Sequence, residues 1–151
     1  MRFLVLILTT ILSFSIFAWD TPEQAITEYL KYDADGHRLG GSDWKVYTST
    51  YLDVNEFYDE PGYDAATIIN SFSVSKPICR PTTCIATVTY SLLNTSNISD
   101  KNIYAHPQGG FEKRLFTTTK IGNEWRIQSG MGNPFISSDT YKRHKAMQNG
   151  L

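Results

Sequence analysis

The chain has 151 residues, a formal net charge of -1, and is 41% hydrophobic and 13% aromatic. That is enough apolar material for the core of one globular domain. With no basic excess to neutralise a phosphate backbone, nucleic-acid binding is excluded as the main task.

The first residues speak to compartment. Met1-Arg2 gives a positive start, Phe3 to Phe17 is apolar with only Thr and Ser interrupting it, and Ala18 is small enough for a signal peptidase to cut after it. A signal peptide over residues 1–18 is therefore expected, leaving one domain over 19–151 that is secreted or periplasmic. The apolar run is shorter than the roughly 20 residues of a spanning helix, so no membrane span is expected once it is removed.

Thr21-Pro22-Glu23-Gln24 reads as a helix start: Thr21 caps, Pro22 sits where its missing N–H costs nothing, and Gln24 can close a capping box. The helix is predicted to run to about Leu39. Its apolar stripe is Ile26, Tyr29 and Leu30, and steps of three and four continue it to Asp33 and His37. A stripe that turns from aliphatic to carboxylate and imidazole either enters a polar cavity or leaves the core at a frayed end. Gly40-Gly41 then breaks the helix. A short second helix follows with Trp44, Tyr47 and Tyr51 on one stripe, and an acidic, aromatic connection runs to Asp64. The carboxylates of that connection lack the spacing of a calcium loop, and no metal site is expected.

Ala66 to Leu93 reads as two long strands joined by a loop that carries both cysteines. On the first arm Ile68, Phe72 and Val74 share a face; on the second, Ala86, Val88, Tyr90 and Leu92 do. The spacing of Cys79 and Cys84 lets the sulfurs meet across the mouth of the hairpin. A disulfide is favoured over a metal or redox pair, because no further Cys or nearby His completes a metal set and the spacing is not C-x-x-C. Export to an oxidising compartment agrees with it.

Asn94 to Gly110 is polar and rich in turn formers, and a mobile loop over one end of the sheet is expected. Within it, Asn94-Thr95-Ser96 and Asn97-Ile98-Ser99 match the glycosylation acceptor pattern. A third strand, Phe111 to Lys120, has no cleanly apolar face. A tight turn at Gly122-Asn123 leads to a fourth, Glu124 to Ser129, with Trp125 and Ile127 facing in and Arg126 out. A short basic helix capped by Ser137 or Ser138 closes the chain.

In order and spacing, the opening TPEQAITEYLKYDADGHRL and the closing FEKRLFTTTKIGNEWRI resemble the first helix and last hairpin of the nuclear-transport-factor-2-like superfamily, also called cystatin-like or ketosteroid-isomerase-like. The resemblance spans most of Thr21 to Phe135. It implies an α+β fold in which a curved antiparallel sheet of about four strands wraps the N-terminal helix and leaves a conical pocket. Tyr29, Asp33, His37, Tyr63, Tyr90, Arg114 and Trp125 are the residues expected to line that pocket.

The expected function is an exported, non-catalytic binding or accessory domain for a small ligand or protein partner, without a cofactor. Two alternatives stand beside it: an isomerase, dehydratase or cyclase acting on a small apolar substrate through Asp33 and His37, and a structural subunit of an envelope complex. The mixed face of Phe111 to Lys120 leaves room for a homodimer. Replacing Asp33 by Ala is expected to spare folding and weaken any pocket ligand.

Overall fold

A computed structural model of the chain describes residues 19–39, 49–53, 65–98, 103, 106 and 108–150. The proposed leader, Trp44, Tyr47, Tyr63, Tyr104 and the carboxylates Glu56, Asp59, Glu60 and Asp64 lie outside the described residues.

Helix α1 spans Pro22–Ala34. Thr21 caps it, accepting from the Gln24 N–H, and Gln24 in turn accepts from the Asp20 N–H, one residue before the cap. The helix is shorter than its stripe predicts. Gly36 takes a left-handed φ of 83°, and the chain re-forms as a 3-10 turn over His37–Leu39. The stripe therefore loses its period after Asp33. A side chain at Gly36 would also collide with Thr140 of the last helix, whose methyl lies 2.6 Å from where a Cβ would stand.

Strands β1 (Thr67–Val74), β2 (Ile78–Cys79), β3 (Thr83–Leu92), β4 (Gly110–Ile121), β5 (Glu124–Ser129) and β6 (Phe135–Ser137) form one curled sheet in the order β5-β4-β3-β1-β6, with β2 also on β3. The fold is α+β, as expected, but the sheet is mixed rather than wholly antiparallel. Besides four longer strands it holds the short β2 and the short β6, which pairs in parallel with β1. Three residues are too few for a period of two to show, and a parallel partner distant in sequence leaves no turn signal.

The central hairpin carries a second correction. Asn70 is an extra residue on β1 between the pairs Ile69↔Leu92 and Ser71↔Ser91, and its side-chain amide donates to the Leu92 carbonyl. This bulge reverses the alternation. Ile69, not Ile68, joins Phe72 and Val74 beneath the sheet, while Ile68 faces Ala66 and Ile136 in a separate cluster with Tyr141. On β3, Ala86, Val88, Tyr90 and Leu92 are all buried, as the alternation requires.

The main core joins Ile26, Tyr29 and Leu30 of α1 to Ile69, Val88, Tyr90, Phe116, Ile127 and Phe135 of the sheet. The even positions of β4 face this core, so Phe116 and Thr118 are buried and Glu112 and Arg114 are half-buried on the same face. Phe111 and Leu115 point outward, 77% and 64% exposed. The Asn94 to Gly110 connection is anchored where it is described: Thr95 is buried and exchanges hydrogen bonds with the His106 backbone. Helix α2, Ser138–Gln148, is capped by Ser137 and held through Thr140 and Tyr141. Among the described residues no helix is long and apolar enough to cross a membrane.

Candidate functional site

The two ends of α1 meet chemically different surroundings. At its start, Ala25 packs with Trp19, Cys84 and Trp125. Cys79 and Cys84 are disulfide-bonded, with Cα atoms 4.1 Å apart on paired residues of β2 and β3. The bond is compatible with an oxidising compartment. Trp125 faces inward but belongs to this end, away from the other pocket candidates. Periodicity assigned its face; it could not assign its position along the sheet.

At the other end, Asp33 is buried to 2% exposure. Its Oδ2 lies 3.3 Å from Arg38 Nη1 and accepts from the Phe135 N–H at 3.1 Å. Arg38 also donates to the Tyr29 hydroxyl at 2.8 Å and to the Gly132 carbonyl at 2.7 Å. One arginine from the 3-10 turn thus ties α1 to the segment between β5 and β6. Two charges removed from water need such extra hydrogen bonds to offset their desolvation. His37, expected beside Asp33, is exposed and stacks on Tyr32 with ring centroids 4.5 Å apart. Asp33 and His37 do not share a cavity.

Tyr90 and Arg114 complete the polar end. The Tyr90 ring stacks on Phe135 with centroids 3.8 Å apart, and the Arg114 guanidinium lies 4.3 Å over the same Phe135 ring. Arg114 Nε donates to Glu112 at 2.8 Å, and its side chain keeps 22% exposure. Gly132 makes room for it: a Cβ there would stand 2.4 Å from Arg114 Nη1. Burial pushes the Tyr90 phenol far above its ordinary range; the nearby Asp33 and Glu112 add to this, and Arg114 and Arg38 offset part of it. Tyr90 is thus a neutral hydroxyl at ordinary pH, a donor as well as an acceptor.

Of the expected pocket residues, the structure gathers Tyr29, Asp33, Tyr90 and Arg114 at one end of the sheet, sends Trp125 to the other and leaves His37 in solvent. Arg38, Gly132 and Phe135 belong to the cluster but were not legible as such. Among the described residues no group of three or more His, Cys, Asp or Glu side chains converges as a metal-ligand set.

Fold and site together define an α+β protein whose curled mixed sheet packs on one helix and carries, at the end of that helix, a polar cluster built on a buried Asp-Arg pair. No protein-family model, curated protein or solved structure matches the chain.

Proposed function

We propose that the chain is an exported, non-catalytic binding domain of the nuclear-transport-factor-2-like kind, which holds a small ligand at the polar end of its sheet. One observation carries this reading: the Asp33 carboxylate is occupied by Arg38 and the Phe135 N–H, while His37 stands apart from it on Tyr32. A general base must reach a substrate proton directly or through one water. Asp33 has a joining task instead, linking α1, the 3-10 turn and β6. What remains for recognition at this end is the half-buried pair Arg114 and Glu112, beneath which Phe135 and Tyr90 are buried. The signal-like start of the sequence and the disulfide support export.

The test is a thermal-shift screen of small molecules on the folded chain, repeated on Arg114→Gln. A ligand of the native state raises the melting temperature in proportion to the logarithm of its concentration over its Kd. Hits that stabilise the parent chain and lose their effect in the variant support the reading. Hits that stabilise both equally place the ligand elsewhere, and turnover of an isomerisable substrate that is lost in Asp33→Asn would restore the enzymatic alternative.

A further inference from the structure

Helix α1 and the main core fill one face of the sheet. The other face is apolar where water should favour polar side chains. Of the six large apolar side chains that stand in solvent among the described residues, five lie on it: Ile78 (82% exposed), Ile85, Phe111, Leu115 and Ile121. Register brings them together. Ile78 of β2 pairs with Ile85 of β3, Leu115 of β4 pairs with Thr87, the next outward position of β3, and Phe111 pairs with Ser91. Opposed and diagonal neighbours on one face lie within about 8 Å, so Ile78, Ile85 and Leu115 make one apolar strip. A single outward residue, the exposed Lys113, separates Leu115 from Phe111. At the other end the Arg80 N–H donates to the Thr83 carbonyl, which extends the pairing and sets the exposed Arg80 one outward position past Ile78. Over β2, β3 and β4 this face therefore carries cations and no carboxylate. Arg80 and Lys113 belong to no ion pair among the described residues, and the outward carboxylate of β5, Glu124, is taken by Arg126. Single apolar tips in water are ordinary, whereas a strip of them flanked by unpaired cations marks a docking surface.

We infer that the outer face of β2, β3 and β4 docks onto an anionic lipid surface, with Ile78, Ile85, Leu115 and Phe111 entering the headgroup layer and Arg80 and Lys113 held at its phosphates. This face is turned away from Asp33, Tyr90 and Arg114, so the inference goes beyond the binding reading above and does not depend on it. Two features select lipid over a second copy of the chain. A two-fold pairing of this face would bring Arg80 and Lys113 against a surface with no carboxylate to receive them, whereas an anionic headgroup layer answers both. The sheet also curls around α1, which makes this face convex. Two convex faces meet along a narrow strip, a poor match for the roughly 800 Å² per partner of a standard interface, while a headgroup layer yields to the shape. Along β4 the order Phe111, Lys113, Leu115 suits that layer: the lysine stem runs beside apolar neighbours while its ammonium reaches the phosphates.

The test is co-sedimentation of the full chain with vesicles of phosphatidylglycerol and phosphatidylcholine in equal parts, and with vesicles of phosphatidylcholine alone. The mixed vesicles should bind at least about tenfold more tightly, each of two cations contributing about fivefold, and about 1 M salt should remove that advantage. Lys113→Gln should weaken binding to the mixed vesicles about fivefold, and Phe111→Ser with Leu115→Ser by at least about tenfold. These side chains are exposed, so the fold should survive, which circular dichroism checks. If the double variant does not fold, Lys113→Gln and the two kinds of vesicle still decide. Equal binding to both kinds of vesicle, or none to either, overturns the inference. Binding to the mixed vesicles that the double variant keeps in full belongs to the apolar start of the sequence, Phe3 to Phe17, and overturns it as well. So does a dimer, seen by sedimentation velocity without vesicles, that Leu115→Glu splits, since a second copy then occupies the face.

Discussion

The two ends of α1 rest on the same sheet yet are held by different physics. The disulfide end is apolar throughout: Trp19, Ala25, Cys84 and Trp125 exclude water, and one covalent bond holds the β2–β3 ribbon beside them. The Asp33 end places two arginines, two carboxylates and two tyrosines on the face that should be driest. An apolar end needs only complementary shape. A polar end needs its groups matched, as Arg38 is by Asp33, the Tyr29 hydroxyl and the Gly132 carbonyl, and Arg114 by Glu112.

Breaking the polar end should have the largest effect. Arg38→Ala leaves Asp33 without its ionic partner and is expected to cost about 4 kcal/mol, read from urea unfolding. A loss below about 1 kcal/mol would mean the ion pair contributes little and would erase the contrast with the apolar end. Asp33→Ala should destabilise for the same reason, which replaces the sequence-based expectation that it spares the fold.

At the apolar end, Trp19→Ala removes a ring that stacks on Tyr51 at 5.7 Å and an indole N–H that donates to the Thr50 carbonyl. The expected cost is about 3 kcal/mol in the same unfolding experiment. A near-neutral result would show that this end is held by the disulfide alone.

Removing that bond, by Cys79→Ser with Cys84→Ser, should cost about 2 kcal/mol, because it closes only a short loop. Cys84 packs with Trp19 and Trp125, so tryptophan emission should change as well. An unchanged emission maximum would place the loss in the hairpin tip rather than in the cluster.

The smallest effect is one of pH. With its folded-state pKa raised above the unfolded value of 10.0, Tyr90 contributes stability that is complete below pH 10 and is lost as pH rises toward the folded value. The phenol of Tyr51, raised by burial and by Glu28, acts in the same direction. Urea midpoints measured between pH 8 and pH 11 should fall above about 10, and less steeply in Tyr90→Phe. Equal slopes in parent and variant would show that Tyr90 titrates normally and that the polar end is wetter than its packing indicates.

How far the fold could be read from sequence differs by element. The stripe Ile26, Tyr29, Leu30, Asp33 was legible because nothing within α1 interrupts its period. It led to His37 only by stepping through Gly36, where the left-handed backbone ends the helix, so Arg38, one residue further on, went unnoticed. Gly36 itself was the available signal, a glycine just past the last periodic residue. The faces of β3 and β5 were legible for the same reason as α1, whereas the Asn70 bulge moved Ile68 off the expected face. Tyr90 and Arg114 could be nominated, but their shared footing on Phe135 depends on β6 pairing with a strand distant in sequence, which no local pattern encodes.

Trp19 sets a lower bound on how far the N-terminus can be trimmed. It is only 8% exposed, and its carbonyl accepts the Trp125 N–H at the edge of β5. A protease that cut one bond past this residue would take away a wall of the hydrophobic cluster and uncover a sheet edge, whereas one that stopped just before it would leave both intact. Any shortened form of the chain should therefore begin no later than Trp19 if this cluster is to stay closed.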